Sequence, residues 1–238
     1  MDVPETAHAG FLAAVPGALA AHADPARAIA QQRYMRSAMP FLGLSSPVLY
    51  EALAPVLADP ALAMSSAAQW RATILALWDG ATHREQWYAA IALARHRTYR
   101  DWVDDDAMAL WENLIRRGAW WDVVDAIATH LVRETVLSAH EVEAPRLRLW
   151  ALDADLWIRR AAILSQVGAA QHTDPALLAD VIGPNLAERE FFIRKAIGWA
   201  LRDYARTDPI WVRRFVAREP TLSGLSRREA LKHLGPDA

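Results

Sequence analysis

Residues 155–162 read DLWIRRAA and residues 190–197 read EFFIRKAI, so an order of acidic, aromatic, isoleucine, arginine, basic and alanine positions recurs after 35 residues. A second pair, TDPALLADVIG at 173–183 and TDPIWVRRFVA at 207–217, recurs after 34 residues. Each repeat therefore holds two segments of helical length. A two-helix unit this short cannot bury its apolar face alone, so neighbouring units must stack.

The repeat extends outward from these segments. One and two repeat lengths before Asp155 lie Trp120 and Glu85, and one repeat length after Glu190 lies LSRREALKHL (225–234). No stretch shows the sustained alternation of a β-strand. The sequence therefore predicts an all-α fold, an α-solenoid of HEAT-like two-helix repeats forming a single domain over residues 1–238. We expect the stack to be curved, with the equivalent helix of each repeat lining one concave cleft.

Helix starts are marked by an acidic residue or serine followed by proline. Such a pair supplies an N-cap side chain and a residue suited to the first helical turn. The predicted starts are Asp24-Pro25, Ser46-Pro47, Asp59-Pro60, Asp174-Pro175 and Asp208-Pro209.

The amino-acid composition limits the class of protein and the kinds of site that are expected. With 53% hydrophobic and 23% charged residues, the chain has the content of an ordinary globular protein. It has no cysteine, which excludes disulfides, a thiolate nucleophile and cysteine-containing metal sites. The apolar run GFLAAVPGALA follows acidic Asp2 and Glu5 and contains Pro16, unlike an export signal. We expect a soluble cytoplasmic protein without a membrane span.

The charge is unevenly distributed along the chain. The net charge is −2, but residues 189–232 contain eleven arginines and lysines against five acidic residues. This excess predicts a contact with a polyanion. The basic residues are almost all arginine, which binds phosphates bidentately, although genome composition explains such a bias equally well.

The stretch WWDVVDAIA (120–128) contains a tryptophan and an aspartate that helical packing does not require. One helical stripe, the predicted core face, consists of Trp120, Val123, Val124, Ile127 and Leu131. Trp121 and Asp125 lie off that stripe, one turn apart, where an indole and a carboxylate can flank one small volume. The alternatives are that Trp121 fills the layer between repeats and that Asp125 is a surface carboxylate or the partner of an arginine.

Trp199 also lies off the core stripe of its helix, beside Lys195 and Asp203. The repeat phase places this helix in register with those that carry Asp125 and Arg160. These side chains can therefore face one cleft. A solvated helix face is the alternative for the paired basic residues.

Four blocks in this order, WWDVVDAI, LWIRRAAIL, FFIRKAIGWALRDYART and LSRREALKHL, resemble the AlkD-type DNA glycosylases, HEAT-repeat enzymes that excise alkylated purines. A weaker match, RYMRSAMPFLGL (33–44), extends the resemblance toward the N-terminus. The resemblance implies that the catalytic residues are Asp125, Trp121 and Trp199, with Arg160 beside them. The residues expected to contact DNA are Tyr34, Arg159, Arg160, Arg194, Lys195, Arg202, Arg227 and Arg228.

The implied reaction is hydrolysis of the N-glycosidic bond of cationic N3- or N7-alkylated purines, such as 3-methyladenine and 7-methylguanine, in double-stranded DNA. No metal or other cofactor is expected, since HExxH, GxGxxG, GxxxxGK[ST] and GxSxG motifs are absent from the sequence. We expect a monomer in the cytoplasm, associated with the nucleoid when bound to DNA. The alternative is a non-catalytic HEAT-repeat scaffold or a damaged-DNA binding protein.

Overall fold

The computed structural model describes residues 6–104 and 106–235, and over these residues it is all-helical, with no β-strand. This confirms the predicted fold class, and the arrangement is consistent with an α-solenoid. The described α-helices are α1 Ala9–Ala20, α2 Pro25–Met35, α3 Ser46–Ala58, α4 Ala67–Asp79, α5 Arg84–Ala94, α6 Ala107–Gly118, α7 Trp121–Ala126, α8 Arg133–Ser138, α9 His140–Trp150, α10 Leu156–Leu164, α11 Pro175–Ile182, α12 Phe191–Tyr204, α13 Pro209–Arg218 and α14 Gly224–Ala230.

Shorter helical segments connect several of these elements. A π-helical segment, Ile127–Val132, joins α7 to α8 without a break. Four 3₁₀ segments are described, at Pro60–Leu62, Arg97–Trp102, Ala170–His172 and Gly183–Asn185.

Three of the five predicted helix starts are confirmed. The side chains of Asp24, Asp174 and Asp208 accept backbone N–H bonds from the first turns of α2, α11 and α13. The serine start is shifted by one residue: Ser45 is the N-cap of α3, and it makes no side-chain capping bond. Asp59 caps a single 3₁₀ turn rather than an α-helix.

The described residues divide into two compact units, the first ending at Asp104 and the second beginning after it. In the first unit, α1 packs against α3, α4 and α5, and α5 packs against α3 and α4. Glu85 of α5 is fully buried, and its carboxylate accepts N–H bonds from Leu42, Gly43 and Leu44. The single domain predicted over residues 1–238 stays a prediction.

The second unit is built from two rows of helices, a front row and a back row. In the front row α7 packs on α10, α10 on α12, and α12 on α14. In the back row α6 packs against α7 and α10, α9 against α8 and α10, α11 against α10, and α13 against α12 and α14. The front-row helices begin at Trp121, Leu156, Phe191 and Gly224, so the predicted repeat phase holds across this unit. The curvature and the concave cleft stay predictions.

No helix in the described part of the chain is long and apolar enough to cross a membrane.

Candidate functional site

The candidate site begins at α7, which has one buried face. Val123, Val124 and Ile127 are completely buried, as the helical stripe predicted. Trp121 and Asp125 lie outside this stripe and are half-buried. Because they are four residues apart on one helix, they lie on the same side of it.

Asp125 forms a bidentate ion pair with Arg160 of α10. Arg160 Nε donates to Asp125 Oδ1 (2.7 Å) and Arg160 Nη2 donates to Asp125 Oδ2 (2.8 Å). A third N–H group of Arg160 donates to the Phe192 backbone carbonyl. The Arg160 side chain is 6% exposed and that of Asp125 is 15% exposed. The pair is therefore largely removed from water, and the carboxylate keeps a small open surface.

The environment of Asp125 acts on its ionisation in two directions. Burial raises the pKa of the Asp125 carboxyl, whereas the hydrogen bonds and the positive charge of Arg160 lower it. The charge of Asp122 adds a smaller increase, and the net result is a raised pKa. Arg160 is thus the group that favours the ionised carboxylate in a site where burial disfavours it.

An aromatic cluster lies beside this ion pair. The rings of Trp120, Trp157 and Phe192 are mutually in contact, with centroid separations of 5.0–5.7 Å. The Arg160 guanidinium carbon lies 6.0 Å from the Phe192 ring centroid. Trp120 packs here as the N-cap residue of α7, which agrees with its predicted packing role. Phe192 is therefore the ring that connects this cluster to the ion pair.

Trp199 lies half-buried on α12, outside the buried stripe of that helix. One turn earlier, Lys195 Nζ donates to Glu229 Oε1 of α14 (3.1 Å), and Arg202 pairs with the same carboxylate. These cations lower the pKa of Glu229, the largest effect being the hydrogen bond from Lys195. Both of these predicted DNA-contacting cations therefore have a partner inside the protein.

Two further predicted DNA contacts also have partners within the chain. Arg159 donates to the Asp153 carbonyl (2.7 Å) and to the Glu188 carboxylate (3.1 Å). Arg227 donates to the backbone carbonyls of Val216 and Glu219 at the end of α13. Both guanidinium groups connect neighbouring helices and loops of the second unit.

The other predicted DNA contacts are placed differently. Arg228 is exposed on α14, and no ion pair to it is formed by the described residues. Arg194 is half-buried, and its Nε atom is buried without a hydrogen-bond partner among the described residues. Tyr34 is 75% exposed and lies in the first unit, at the end of α2. For all of these residues, contact with DNA stays a prediction.

Sequence reasoning missed Glu229, Glu188 and the Phe192 carbonyl as partners of the basic residues. One signal is present: Asp125, Arg160 and Lys195 recur at intervals of 35 residues, and Glu229 follows Lys195 after 34. Equivalent positions of stacked repeats lie side by side, so opposite charges one repeat apart can pair. The structure shows such pairing at Asp125–Arg160 and Lys195–Glu229.

Among the described residues, no group of three histidine, aspartate or glutamate side chains could hold a metal ion.

Residues 16–234 match the family model described as DNA alkylation repair enzyme. No curated protein matches the chain. A solved structure titled "Predicted DNA alkylation repair enzyme from Enterococcus faecalis" is 30% identical, with a TM-score of 0.78. The alignment covers 90% of this chain and 98% of that chain.

Proposed function

The chain belongs to the DNA alkylation repair enzyme family, and from this premise we propose that it is a DNA glycosylase acting on cationic alkylated purines. Alkylation of a purine at N3 or N7 makes the base a good leaving group. The glycosidic bond then breaks through an oxocarbenium-like sugar. The protein must stabilise positive charge on that sugar and direct a water molecule to it.

The observation that carries the proposal is the Asp125 carboxylate, held by Arg160 through two hydrogen bonds. A fixed, ionised carboxylate in a partly dry site stabilises a developing cation more strongly than a mobile one in water. Arg160 offsets part of that negative charge, but it favours ionisation and fixes the direction of both oxygens. We therefore assign Arg160 a positioning role at Asp125 in place of a phosphate contact.

Trp121 and Trp199 are the proposed aromatic walls. Both are half-buried, so each indole keeps part of its surface open. The face of an indole attracts a cation by about 0.5–2 kcal/mol, depending on how far the pair is desolvated. These residues would hold the cationic sugar or base while Asp125 supplies the countercharge.

Duplex binding by the second unit is proposed to use Arg228, which is exposed, and Arg194, which is half-buried. Tyr34 is a separate proposed contact of the first unit. Phosphate contacts of this kind position the protein without reading sequence. The localisation expected from the sequence, the cytoplasm in association with the nucleoid, belongs to the same proposal.

Substrate discrimination tests the proposed reaction. The chain offers no assigned general acid for a neutral leaving group, so we expect release of N7-methylguanine and no release of uracil from otherwise identical duplexes. Bases released by the purified protein are measured by chromatography, with protein-free incubations correcting for spontaneous loss. Release of uracil at a similar rate would contradict the charge-based mechanism. DNA binding without any release would instead favour the non-catalytic DNA-binding alternative.

A further inference from the structure

A cavity of about 490 Å³ lies between α11 and α13, in the back row of the second unit. Its lining residues are Pro175, Ala176, Ala179, Trp211, Arg214, Phe215, Arg218 and Glu219. Asp125 and Arg160 lie on α7 and α10, in the front row, and do not line it. The volume is within the range that accommodates a small ligand.

The cavity arises because α13 does not pack on α11 as α11 packs on α9. Leu177 and Val181 of α11 are fully buried, and α11 packs against α9. One repeat later the equivalent positions carry Trp211 and Phe215, which are only half-buried. Ala176 and Ala179 on the facing side of α11 are too small to fill the space. Large aromatic rings on one wall and alanines on the other leave a gap.

The charge of this interface also differs from that of the preceding repeat. Asp180 of α11 pairs with Arg148 of α9 at 2.8 Å. The equivalent position in α13 is Arg214, which is exposed, as is Arg218 one turn later. Neither has an ion-pair partner among the described residues, and Glu219 is the acidic residue of the lining. The cavity therefore presents a net positive rim to solvent.

The aromatic wall is held in a fixed arrangement. The rings of Trp211 and Phe215 are stacked, with centroids 5.1 Å apart and planes 16° from parallel. Tyr204, a buried residue of α12, meets the Trp211 ring edge-on at 5.4 Å. The outer face of such a stack is a surface on which another flat ring can pack.

From this combination we propose that the cavity binds single-stranded DNA, with one base stacked on the Trp211–Phe215 wall and the flanking phosphates on Arg214 and Arg218. Single-strand sites in proteins combine aromatic stacking surfaces with a positive groove along the backbone. Glu219 provides an acceptor for the N3–H group of a thymine base. An acidic peptide would use the arginines equally well, but carboxylate side chains make no use of the aromatic stack. The site does not depend on the chemistry proposed at Asp125.

Fluorescence anisotropy with a labelled single-stranded oligothymidine tests the proposal. Ala179→Phe fills the cavity, and Ala217→Phe places the same ring on an exposed position of α13 outside it. Arg214→Glu reverses a charge of the rim, and Arg206→Glu reverses an exposed charge that does not line the cavity. We expect Ala179→Phe and Arg214→Glu to weaken binding about tenfold or more, and the two controls to bind like wild type.

Two further measurements locate the site. In photo-crosslinking, an iodouracil-substituted oligonucleotide should become attached to Trp211 or Phe215, and mass spectrometry identifies the attached residue. If the protein releases N7-methylguanine from duplex DNA, Ala179→Phe should release it at the wild-type rate. Oligothymidine binding is measured without any excision, so failure of the glycosylase proposal would leave the binding test intact. Circular dichroism checks folding, and if Ala179→Phe does not fold, Arg214→Glu with its control decides.

The proposal is overturned if wild type does not bind the oligothymidine, or if the cavity variants are weakened no more than their controls. It is also overturned if polyglutamate, and not the oligonucleotide, binds in a manner that depends on Arg214, since the occupant would then be an acidic protein.

Discussion

At Asp125, burial and the neighbouring arginine change the pKa of the carboxyl group in opposite directions. Burial favours its neutral form, and Arg160 favours its ionised form, with a raised pKa as the net result. Because the folded state then binds the proton more tightly than the unfolded chain, ionising Asp125 lowers stability as the pH rises from the unfolded pKa through the folded pKa. Carboxyl groups with perturbed pKa values are frequent at functional sites, which supports the proposed role of Asp125.

The pH dependence of excision should report this balance. If ionised Asp125 is the active form, the rate falls as the pH falls through its raised pKa. Arg160→Gln removes the cation that lowers the pKa, so the acid limb should move to higher pH. Arg160→Lys keeps the charge and should leave the limb near that of wild type, even if the rate is lower. Single-turnover rates across pH measure both, and an unmoved limb in Arg160→Gln would count against Asp125 as the titrating group.

The residues of this site can be predicted from the sequence more readily than their partners. Trp121 and Asp125 stand out in the sequence because they lie off a predicted buried stripe, and the structure places both off it. The resemblance implies that Arg160 contacts DNA, whereas the structure pairs it with Asp125. Helical periodicity describes one helix and carries no information on the neighbouring helix. Which side chain pairs with Arg160 depends on how the repeats stack. Positions 125 and 160 are equivalent in the repeat, so the sequence indicates that they are neighbours but does not specify that they pair.

A single glycine lies where α12 and α14 pack together. Gly198 is buried on α12, and a methyl group there would lie 2.5 Å from Glu229 Cβ and 3.2 Å from Ser226 Cα. The lack of a side chain at position 198 therefore permits the contact that brings Glu229 to Lys195 and Arg202. Substitution must displace α14 or strain α12.

We expect Gly198→Ala to lower the free energy of unfolding by about 1–3 kcal/mol, as overpacking typically does. Gly17→Ala is the matched control, because a methyl group on that residue of α1 meets no atom within 4 Å. The control should be stabilised by about 0.5–1 kcal/mol through the higher helix propensity of alanine. Urea unfolding followed by circular dichroism compares them, and equal stability of the two variants would refute the close approach.

The helices themselves can be predicted largely from local patterns, and the exceptions have physical causes. Aspartate–proline pairs mark α2, α11 and α13 because capping is a local interaction. No such pattern predicts the π segment after Asp125. In it, Thr129 Oγ1 donates to the Asp125 backbone carbonyl at 2.8 Å. Such hydroxyl bonds to carbonyls, and a π-helical turn, arise from details that hydrophobic periodicity does not register.

At the scale of the whole molecule, the positive charge of residues 189–232 is partly used inside the protein. Within this segment, Lys195 and Arg202 pair with Glu229, and Arg227 donates to backbone carbonyls. A count along the sequence cannot separate such residues from those that face solvent. The count of eleven basic residues therefore overstates how many are available to a polyanion.

The salt dependence of duplex binding tests this distinction. Arg228→Glu should weaken binding to damaged and undamaged duplex alike, and the slope of log K against log[salt] should become shallower by about 0.9 for each phosphate that the variant no longer neutralises. Arg148→Glu, an equal charge change in the back row, should leave the slope unchanged. Titrations at several salt concentrations provide both values. A wild-type affinity that does not depend on salt would contradict the predicted phosphate contacts.

The most direct measurement is the single-turnover rate of N7-methylguanine release by wild type and Asp125→Asn, with duplex affinity measured alongside. Asparagine keeps one acceptor oxygen for Arg160 but removes the negative charge, so thermal melts must confirm that the variant is folded. Asp180→Asn, an equal change on α11, serves as the control. The proposed mechanism predicts that Asp125→Asn lowers the rate by a factor of about 10²–10³ with little change in DNA affinity, and that the control behaves like wild type. Equal excision rates for wild type and folded Asp125→Asn would contradict it.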